Sequence, residues 1–498
     1  MSDSPIRRHG IVRGLENVSS SPQFEGRFGR MFRTLPAAKH SEKSLITLGS
    51  RMVAEFEANP TPETANPRDD EENTGISAGY TYLGQFIDHD LTFDPASSLQ
   101  KQNDPDALVD FRTPRFDLDN LYGRGPDDQP YLYDSDGLHM LLGRPLSGNP
   151  HDPNPRDLQR NSPAKGPRRA IIGDPRNDEN TIVSQLQANF IRFHNRVADI
   201  LHDQADFSTV QRLVRWHYQW VVLHDFLPTI IGKQTLDQIL PSPDKPDLKF
   251  YTFKNDPFIP VEFSVAAYRF GHSMVRPIYR LNTTLPDRQV IFSLDPNVPN
   301  LTGFREFPDV WAIDWSLFFD FGNKPNPFSK ERIQPAYKID SSLVNPLGSL
   351  PPSIASTMPS LAARNLLRGL RMGLPSGQSV AKKMGLPVIS DDKLRVGKAS
   401  EDDTPTNIHL AEIAPEFRGN APLWYYILAE AQQQFKKDDT PIRLGPVGGR
   451  IVGETFVGLL LGDKHSYLRQ DPTWKPIEEF TRKGTFGIAE LLMQAMKA

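Results

Sequence analysis

The chain has 498 residues and no cysteine, and its 57 lysine and arginine residues against 61 aspartate and glutamate residues give a formal net charge of −4. The absence of thiols excludes disulfides, thiolate metal sites, iron–sulfur clusters and a thiolate ligand to haem, and the small negative charge argues against a nucleic-acid partner bound through bulk charge. The length suits one large domain or two to three ordinary ones, and no run of apolar residues is long enough to predict a membrane span.

The beginning of the chain predicts an arm rather than part of a core. Residues 1–45 are rich in turn residues and end in a basic and aromatic patch around Arg27 to Arg33, so we assign them to an extended arm and residues 46–498 to one domain. The first residues lack the apolar core of a secretory signal, which predicts a protein that stays in the cytoplasm or is exported by a leaderless route.

The remainder of the chain predicts helices joined by long, proline-rich connections, since 45 residues are proline. A first helix is expected from about Ile76 to His89, followed by a loop-like region over residues 95–170 of the kind that wraps a core or carries function. Asp174 as N-cap and Pro175 in the first turn predict a helix start, and an apolar stripe extends this helix to Leu201. Further helices are predicted at about Ser208–Leu227, Ser264–Ser273, Pro308–Phe321, Ile354–Leu374, Pro422–Phe435 and Pro446–Leu461.

No run of alternating β-branched residues is long enough to predict a sizeable sheet. The predicted fold class is therefore mainly α, a single large helical domain with long loops and little β-structure.

The most informative motif is GQFIDHD, Gly84 to Asp90. On a helix Gln85 and His89 lie four apart and share one face, while Asp88 and Asp90 flank the histidine in the chain. Burial of two carboxylates and an imidazole in so short a span is costly unless each has a partner. The motif therefore predicts a bound cofactor, a metal ion or both, and the alternative from these residues alone is an exposed helical turn with a charged end.

Two further motifs carry residues suited to a site. In GDPRNDEN, Arg176 and Glu179 lie three apart and can share one face of a helical turn, although an ordinary ion pair at a helix start explains them equally well. In AAYRFGHSMVRP, His272 follows small and apolar residues, which predicts a buried imidazole. Taken alone, that histidine is better explained as a core residue with satisfied hydrogen bonds than as a ligand.

A third motif, FRTPRFDLDNLYG from Phe111 to Gly123, places several oxygen ligands in a short loop. Thr113, Asp117 and Asp119 offer the hard donors that calcium prefers. The loop is not an EF-hand, because it lacks the glycine at the sixth position and the closing glutamate of that motif. A solvated acidic turn is the alternative.

Together these motifs resemble those of a known family. GQFIDHDLTF, the pattern Thr-x-Arg-x-Asp-x-Asp-x-x-Tyr-Gly, GDPRNDEN, YRFGHS and NLLRGLRMGLPSG occur in the order found in the peroxidase–cyclooxygenase superfamily of haem proteins. The chain resembles a bacterial member of the animal-type haem peroxidases from about Arg27 to about residue 490. This resemblance implies a mostly α-helical haem peroxidase domain that binds haem b and calcium.

The resemblance implies roles for three residues on the distal side of the haem. His89 is the implied distal histidine, because a neutral imidazole can take a proton from the peroxide oxygen that binds iron and pass it to the oxygen that leaves. Arg176 is the implied distal arginine, whose permanent charge stabilises the departing oxygen. Gln85 would line the distal pocket.

On the proximal side the resemblance makes His272 the ligand of the haem iron. Its second ring N–H needs an acceptor, and Asn365 matches the position of that acceptor. Arg368, one helical turn further on, matches a residue that pairs with a haem propionate.

The resemblance also implies a calcium site and covalent attachment of the haem. The implied calcium ligands are Asp90, Thr113, the carbonyl of Arg115, Asp117 and Asp119. An ion there would also fix the helix that carries the distal histidine.

Asp88 and Glu179 match residues that form ester bonds to haem methyl groups in vertebrate relatives, so we predict at least one ester. A methionine that forms a sulfonium link in the best-known relative is replaced here by Asn180. That link is therefore impossible, and the predicted donors that hydrogen peroxide oxidises are bromide, iodide, thiocyanate and phenols rather than chloride.

Other functions remain open at this point. Fatty-acid dioxygenases of the same superfamily carry a radical-forming tyrosine three residues before the proximal histidine, where this chain has Arg269; Tyr268 falls on a different helical face. A reading from another class is a calcium-stabilised, non-catalytic interaction protein with a degenerate haem site. A metal hydrolase is the weakest reading, because no His-x-x-x-His or comparable cluster occurs.

Overall fold

The computed structural model describes residues 26–57, 70–92, 109–110, 112–201, 205–295, 297–323, 325–327, 329–352, 354–355, 358–401, 403–435 and 440–498. The predicted arm is thus described only from residue 26 onwards. Phe111, the first residue of the acidic motif, lies outside the described residues.

Helices make up most of the regular structure. In chain order they are α1 (Glu42–Arg51), α2 (Gly79–Leu91), α3 (Asp119–Tyr122), α4 (Thr181–Leu201), α5 (Phe207–Val221), α6 (Leu227–Ile231), α7 (Lys233–Ile239), α8 (Val261–Ser264), α9 (Leu361–Arg371), α10 (Gly377–Lys383), α11 (Asp403–Thr406), α12 (Leu410–Ile413), α13 (Leu423–Gln432), α14 (Pro446–Gly462), α15 (Tyr467–Gln470) and α16 (Ile488–Ala495). Within the described ranges, none of them is both long and apolar enough to cross a lipid bilayer.

Short strands join distant segments of the chain rather than form a large sheet. They are β1 (Gly26–Gly29), β2 (Glu72–Ser77), β3 (Val109–Asp110), β4 (Ile259–Pro260), β5 (Ile278–Tyr279), β6 (Gln289–Val290), β7 (Pro335–Tyr337), β8 (Arg395–Val396) and β9 (Ile408–His409). Strand β1 lies between β3, which is antiparallel to it, and β4, which is parallel. The other pairs, β2–β7, β5–β6 and β8–β9, are antiparallel. The predicted mainly α fold with little β-structure is confirmed.

Helix α4 lies in the core and fixes the position of α2. Its residues from Thr181 to His194 are all buried, and it packs against α2, α5 and α16. Phe86 of α2 stacks on Phe190 of α4 with ring centroids 4.4 Å apart, and Tyr218 of α5 meets both rings edge-on. This aromatic contact sets the rotation of α2 and thereby decides which side chains of the GQFIDHD motif face the interior cavity.

Two predicted helix boundaries shift for local reasons. The first helix begins at Gly79 rather than Ile76, because the preceding residues pair with β7 as strand β2. The helix start at Asp174 is confirmed: its side chain accepts a hydrogen bond from the backbone N–H of Arg176. That first turn is a separate 3-10 helix, Pro175–Asp178, and α4 begins at Thr181.

Two other predicted helices are wrong in type. The segment predicted at Ser264–Ser273 contains a 3-10 helix, Ala267–His272. The segment predicted at Pro308–Phe321 contains only two 3-10 turns, Asp309–Trp311 and Trp315–Leu317. Most of its aromatic and aliphatic side chains are buried, although Val310 is exposed, so their spacing reflects general burial and not the single apolar face of an α-helix.

Candidate active site

A cavity of about 590 Å³ lies between α2, the turn before α4, the Ala267–His272 turn and α9. This volume is within the range of about 300–1,000 Å³ in which proteins bind small molecules and cofactors. His89 and His272, which are far apart in the sequence, both line it. The two sequence motifs that carry these histidines therefore meet at one site.

The proton of the His89 ring is positioned by a chain of amide hydrogen bonds. The side-chain amide of Asn120 donates to the backbone carbonyl of Phe86, and the backbone carbonyl of Asn120 accepts from Gln187 Nε2. The Oε1 atom of Gln187 accepts from Asn177 Nδ2 at 2.8 Å, so Asn177 turns Oδ1 toward His89 Nδ1 at 2.6 Å. Nδ1 of His89 consequently carries the proton, and Nε2 is left with a lone pair.

Burial keeps the His89 ring neutral. Removal from water, followed by the positive charge of Arg176, lowers the pKa of His89 from 6.5 to about 3. The ring is therefore neutral and an available proton acceptor near pH 7. This is the protonation state that a general base for peroxide requires.

A carboxyl group faces the lone pair of His89. Oε1 of Glu179 lies 3.7 Å from His89 Nε2 and accepts a hydrogen bond from Gln85 Nε2. Burial raises the pKa of Glu179 from 4.5 to about 7, although the charge of Arg176 opposes the rise. Gln85, Glu179 and His89 thus form one connected polar group in the cavity wall.

The guanidinium of Arg176 contacts the backbone of His89 rather than the cavity. Its Nη2 atom donates to the carbonyl of His89 at 3.0 Å and to Asp174 Oδ2 at 2.8 Å. Arg112 donates to the same carboxylate at 2.6 Å, and Arg176 is not among the residues that line the cavity. Two arginines hold the pKa of Asp174 well below its usual range, although burial of that carboxyl opposes them.

His272 has one defined hydrogen-bond partner, Asn365 of α9. The Nδ2 atom of Asn365 lies 2.7 Å from His272 Nδ1, and Arg269 donates to Asn365 Oδ1 at 2.9 Å. Asn365 therefore donates to the ring nitrogen, which is opposite to the acceptor role that the resemblance implies. Burial, followed by the charges of Arg269 and Arg364, lowers the pKa of His272 to about 3, so this ring is neutral as well.

Asp88 and Arg368 both line the cavity. Thr92 donates to Asp88 Oδ1 at 3.3 Å, and burial raises the pKa of Asp88 while the charges of Arg176 and Arg269 partly offset that rise. A buried carboxyl, an accessible arginine and two neutral imidazoles in one cavity form a donor set that fits an iron porphyrin.

Three carboxylates meet behind α2. Both side-chain oxygens of Asp90 are buried and make no hydrogen bond among the described residues. Burial, followed by the charges of Asp117 and Asp119, raises the pKa of Asp90 well above its usual value, and the pKa of Asp119 rises to about 7 for the same reasons. Thr113 donates to Asp117 Oδ2 at 2.5 Å.

The fifth predicted ligand is the backbone carbonyl of Arg115 in the same loop, and the side chain of Arg115 extends toward Asp463. Arg115 Nε lies 3.9 Å from Asp463 Oδ1. In the described part of the chain, no three histidine, aspartate or glutamate side chains stand in metal-ligating geometry. An unpartnered buried carboxylate among like charges nevertheless fits a cation.

Three residues of the site escaped the sequence analysis. Asn177 and Gln187 orient His89, but their partners lie far away in the chain, so no local spacing indicates them. Asp174 was recognised only as a helix cap, because the contact with Arg112 crosses 62 positions.

Comparison with known proteins agrees with this geometry. The "Animal haem peroxidase" family model matches residues 98–472. Over 307 residues the chain is 28% identical to human thyroid peroxidase, a match that covers 59% of this chain and 30% of that protein. Over 234 residues it is 30% identical to chorion peroxidase of Drosophila melanogaster, covering 43% of this chain and 26% of that protein. The matches therefore span less than a third of these relatives' own length.

Two solved structures show the same fold. Peroxidase A from Dictyostelium discoideum superposes with a TM-score of 0.57 at 16% identity, covering 93% of this chain and 94% of that one. A fatty acid α-dioxygenase from Arabidopsis thaliana gives a TM-score of 0.52 at 13% identity, covering 95% of this chain and 76% of that one. At these identities the likeness concerns the fold and does not discriminate between the two activities.

Proposed function

We propose that this chain, which belongs to the animal haem peroxidase family, is a haem-dependent peroxidase that reduces hydrogen peroxide and oxidises bromide, iodide, thiocyanate or phenolic donors. The observation that carries the proposal is the pair of neutral imidazoles, His89 and His272, that line one cofactor-sized cavity. One would serve as base and the other as metal ligand. The expected bacterial origin stays a prediction, since the relatives named above come from animals and Dictyostelium.

The residues of the cavity suit haem b. His272 would hold the iron through Nε2, which makes no hydrogen bond among the described residues, and Arg368 would pair with a propionate. When bound, haem supplies an iron that binds peroxide and accepts its oxidising equivalents. The protein supplies orientation and proton transfer.

Proton transfer is the step that His89 performs. Its Nε2 lone pair would take a proton from one oxygen of the peroxide and deliver it to the other oxygen, which would leave as water. Asn177 holds the opposite ring N–H throughout, so the ring needs no tautomer exchange before it reacts. The positive charge of Arg176 favours the electron-rich departing oxygen, while Gln85 and Glu179 complete the polar wall.

Ligation by His272 requires a change at Asn365. A ring that binds iron through Nε2 carries its proton on Nδ1, and that proton needs an acceptor. Asn365 would present Oδ1 to His272, which displaces the hydrogen bond that Arg269 now makes to this atom.

Calcium and ester links extend the proposal. A calcium ion would neutralise Asp90, Asp117 and Asp119, with Thr113 and the carbonyl of Arg115 as further ligands. Asp88 and Glu179 both line the cavity, so either carboxyl group could form an ester with a haem methyl after peroxide treatment. Haem that is fully extracted by acidified acetone after that treatment would rule the ester out.

Asn180 supports the absence of a sulfonium link and has a structural role instead. Its Oδ1 accepts hydrogen bonds from the backbone N–H groups of Ile182 and Val183 at 2.8 and 3.2 Å, which caps the start of α4. Because asparagine contains no sulfur, this side chain cannot form a sulfonium link to haem. We therefore propose, among the halides, bromide and iodide as donors, because both are easier to oxidise than chloride.

A fatty-acid dioxygenase would share this fold, but this chain lacks the tyrosine expected three residues before His272. Arg269 stands there, and it is bound to Asn365 and the carbonyl of Ser264. A non-catalytic interaction protein would not need both imidazoles to be neutral and directed into the same cavity.

A test of the proposed function starts from protein loaded with haemin. We expect a Soret band that shifts within one mixing time on addition of hydrogen peroxide, and turnover of bromide or a phenol in steady-state assays. A Soret band that does not respond to peroxide would contradict the proposed peroxidase activity and would favour a non-catalytic interaction protein. Oxygen uptake with a fatty acid, and no donor oxidation, would favour the dioxygenase.

A further inference from the structure

Three tyrosines line the cavity among the described residues, Tyr80, Tyr82 and Tyr268. Tyr268 donates its hydroxyl to the carbonyl of Gly84 at 3.1 Å, and a peptide carbonyl does not take up a proton. The Tyr82 hydroxyl has no carboxylate within hydrogen-bond distance. Tyr80 differs from both, because it donates to Asp225 Oδ1 at 2.6 Å.

A carboxylate at this distance is what a tyrosine needs to be oxidised reversibly. Burial and the charge of Asp225 raise the pKa of Tyr80 well above 10, so the hydroxyl is protonated before any electron leaves. An oxidised phenol is a strong acid and must release its proton to a nearby base. Burial also raises the pKa of Asp225, which makes its carboxylate a better proton acceptor.

Asp225 is adjacent in the chain to His224, which belongs to an aromatic cluster at the protein surface. It belongs to a π-helical turn, Val222–Phe226, which continues from α5; such turns are rare and often mark functional sites. In this turn Asp225 reaches inward to Tyr80, while its neighbour His224 is exposed. The ring of His224 stacks on Trp220 with centroids 3.9 Å apart.

The surface aromatic cluster consists of Trp216, Trp220, His224, Tyr467 and Trp474. The Tyr467 hydroxyl lies 3.0 Å from His224 Nε2, and Trp220 lies 5.8 Å from Tyr467 and 6.0 Å from Trp474 between ring centroids. Trp220 and Trp474 are both half-buried, so each presents part of its ring to solvent. These are the side chains that give up an electron most readily, gathered at one place outside the cavity.

We propose that Tyr80, with Asp225 as its proton acceptor, relays oxidising equivalents from the haem cavity to the surface aromatic cluster, where phenolic donors too large for the cavity are oxidised. The inference rests on the proposed peroxidase function, because hydrogen peroxide is the oxidant. It adds a second donor site to the one at the cavity.

The electrons and protons balance in each cycle. Tyr80 loses one electron to the peroxide-oxidised haem and its hydroxyl proton to Asp225 Oδ1, which leaves a neutral phenoxyl radical. An electron from the cluster restores Tyr80 as Asp225 returns the proton, and a donor at Trp220 then loses one electron and one proton. Two such cycles consume one hydrogen peroxide and two donor molecules, and they release two water molecules and two donor radicals.

Freeze-quench electron paramagnetic resonance on haem-loaded enzyme, mixed with one equivalent of hydrogen peroxide and no donor, tests the radical directly. We expect a tyrosyl signal in the native protein that is lost in Tyr80→Phe and retained in Tyr82→Phe, a matched loss of one hydroxyl from the same cavity wall. Asp225→Asn keeps the hydrogen-bond shape without the base, and the signal should be lost there too. A signal that survives in Tyr80→Phe overturns the proposal.

A pair of donors tests the surface site. Iodide enters the cavity, and a phenol coupled to dextran does not. In Tyr80→Phe and Trp220→Phe we expect oxidation of the dextran-linked phenol to fall about tenfold or more while iodide oxidation stays within about twofold. Equal losses for both donors, or no loss for the dextran-linked phenol, overturn the relay. The peroxide-induced Soret shift is recorded for every variant: if it is intact, only the relay has failed, and if it is absent in the native protein, the proposed function has failed.

Discussion

Both histidines of the cavity are neutral, yet their surroundings prepare them differently. On the distal side, His89 Nδ1 is bound to Asn177, whose orientation is set through Gln187 and Asn120 by backbone carbonyl groups. On the proximal side, the one amide that touches His272 is shared with Arg269. A group that must move protons is thus preset, whereas a group that must bind a metal is held by a contact that can be exchanged.

The largest expected effect is the loss of haem when the histidine that would bind the iron is replaced. His272→Ala removes the implied iron ligand, so we expect the protein to lose haem on gel filtration. His194→Ala, a buried histidine that does not line the cavity, is the control and should retain haem. Stoichiometric haem in His272→Ala would show that another residue is the ligand.

Removal of the amide that sets the distal proton should slow the peroxide step without releasing haem. Asn177→Ala leaves His89 Nδ1 without its acceptor, and loss of such an orienting partner costs about 10–100-fold. Stopped-flow absorbance of the Soret band measures the rate. An unchanged rate in Asn177→Ala would mean that the amide chain is structural only.

Removal of the hydrogen bond between Arg269 and Asn365 should, in contrast, strengthen the binding of haemin. Arg269→Gln frees Asn365 Oδ1 for His272, and a hydrogen bond to a charged donor contributes about 1.5–3 kcal/mol. We therefore expect haemin to bind about tenfold more tightly to the apo-protein, as measured by titration of the Soret band. Weaker binding in this variant would indicate that Arg269 assists the cofactor rather than competing with it.

Calcium should affect the distal side and not the proximal one. Asp90 lies next to His89 on α2, and the mutual repulsion of Asp90, Asp117 and Asp119 would destabilise that helix end without a cation. With calcium at about a hundred times its dissociation constant, the added stability is about 2.7 kcal/mol, and a chelator should lower Tm and slow the peroxide step while haem stays bound. Asp117→Asn should lose the calcium dependence of Tm. A Tm that is insensitive to calcium would contradict the site.

The smallest expected effect is a pH dependence from Glu179. Its pKa of about 7 means that the carboxyl becomes charged as pH rises through 7, and the charge favours the protonated form of His89 during catalysis. A single turnover on haem-loaded enzyme not previously exposed to peroxide should quicken by about fivefold, and Glu179→Gln should flatten the profile. Conversely, the free energy of unfolding should decrease as the pH rises from 4.5 to about 7, because in this range the folded state keeps a proton that the unfolded chain has released.

The sequence predicted the elements with strong periodicity and the residues that fall in motifs. Helices α4 and α14 follow their apolar patterns closely, and the motifs brought His89, Glu179 and His272 into one proposed site, which the structure places together in the cavity wall. The helix predicted around Pro308 was wrong, because burial of most of its apolar side chains imitates helical spacing. The contacts that set proton positions could not be predicted, since each joins residues that are distant in the chain and carry no charge pattern. Asn177 and Arg269 are the two examples that matter most.

The most direct test of the central claim is the rate at which hydrogen peroxide changes the Soret band of haem-loaded His89→Gln. If His89 is the neutral base opposite the ligand His272, this variant should hold a full complement of haem and react about 10²–10⁴-fold more slowly than the native protein. A variant that binds haem and reacts at the native rate would contradict the account.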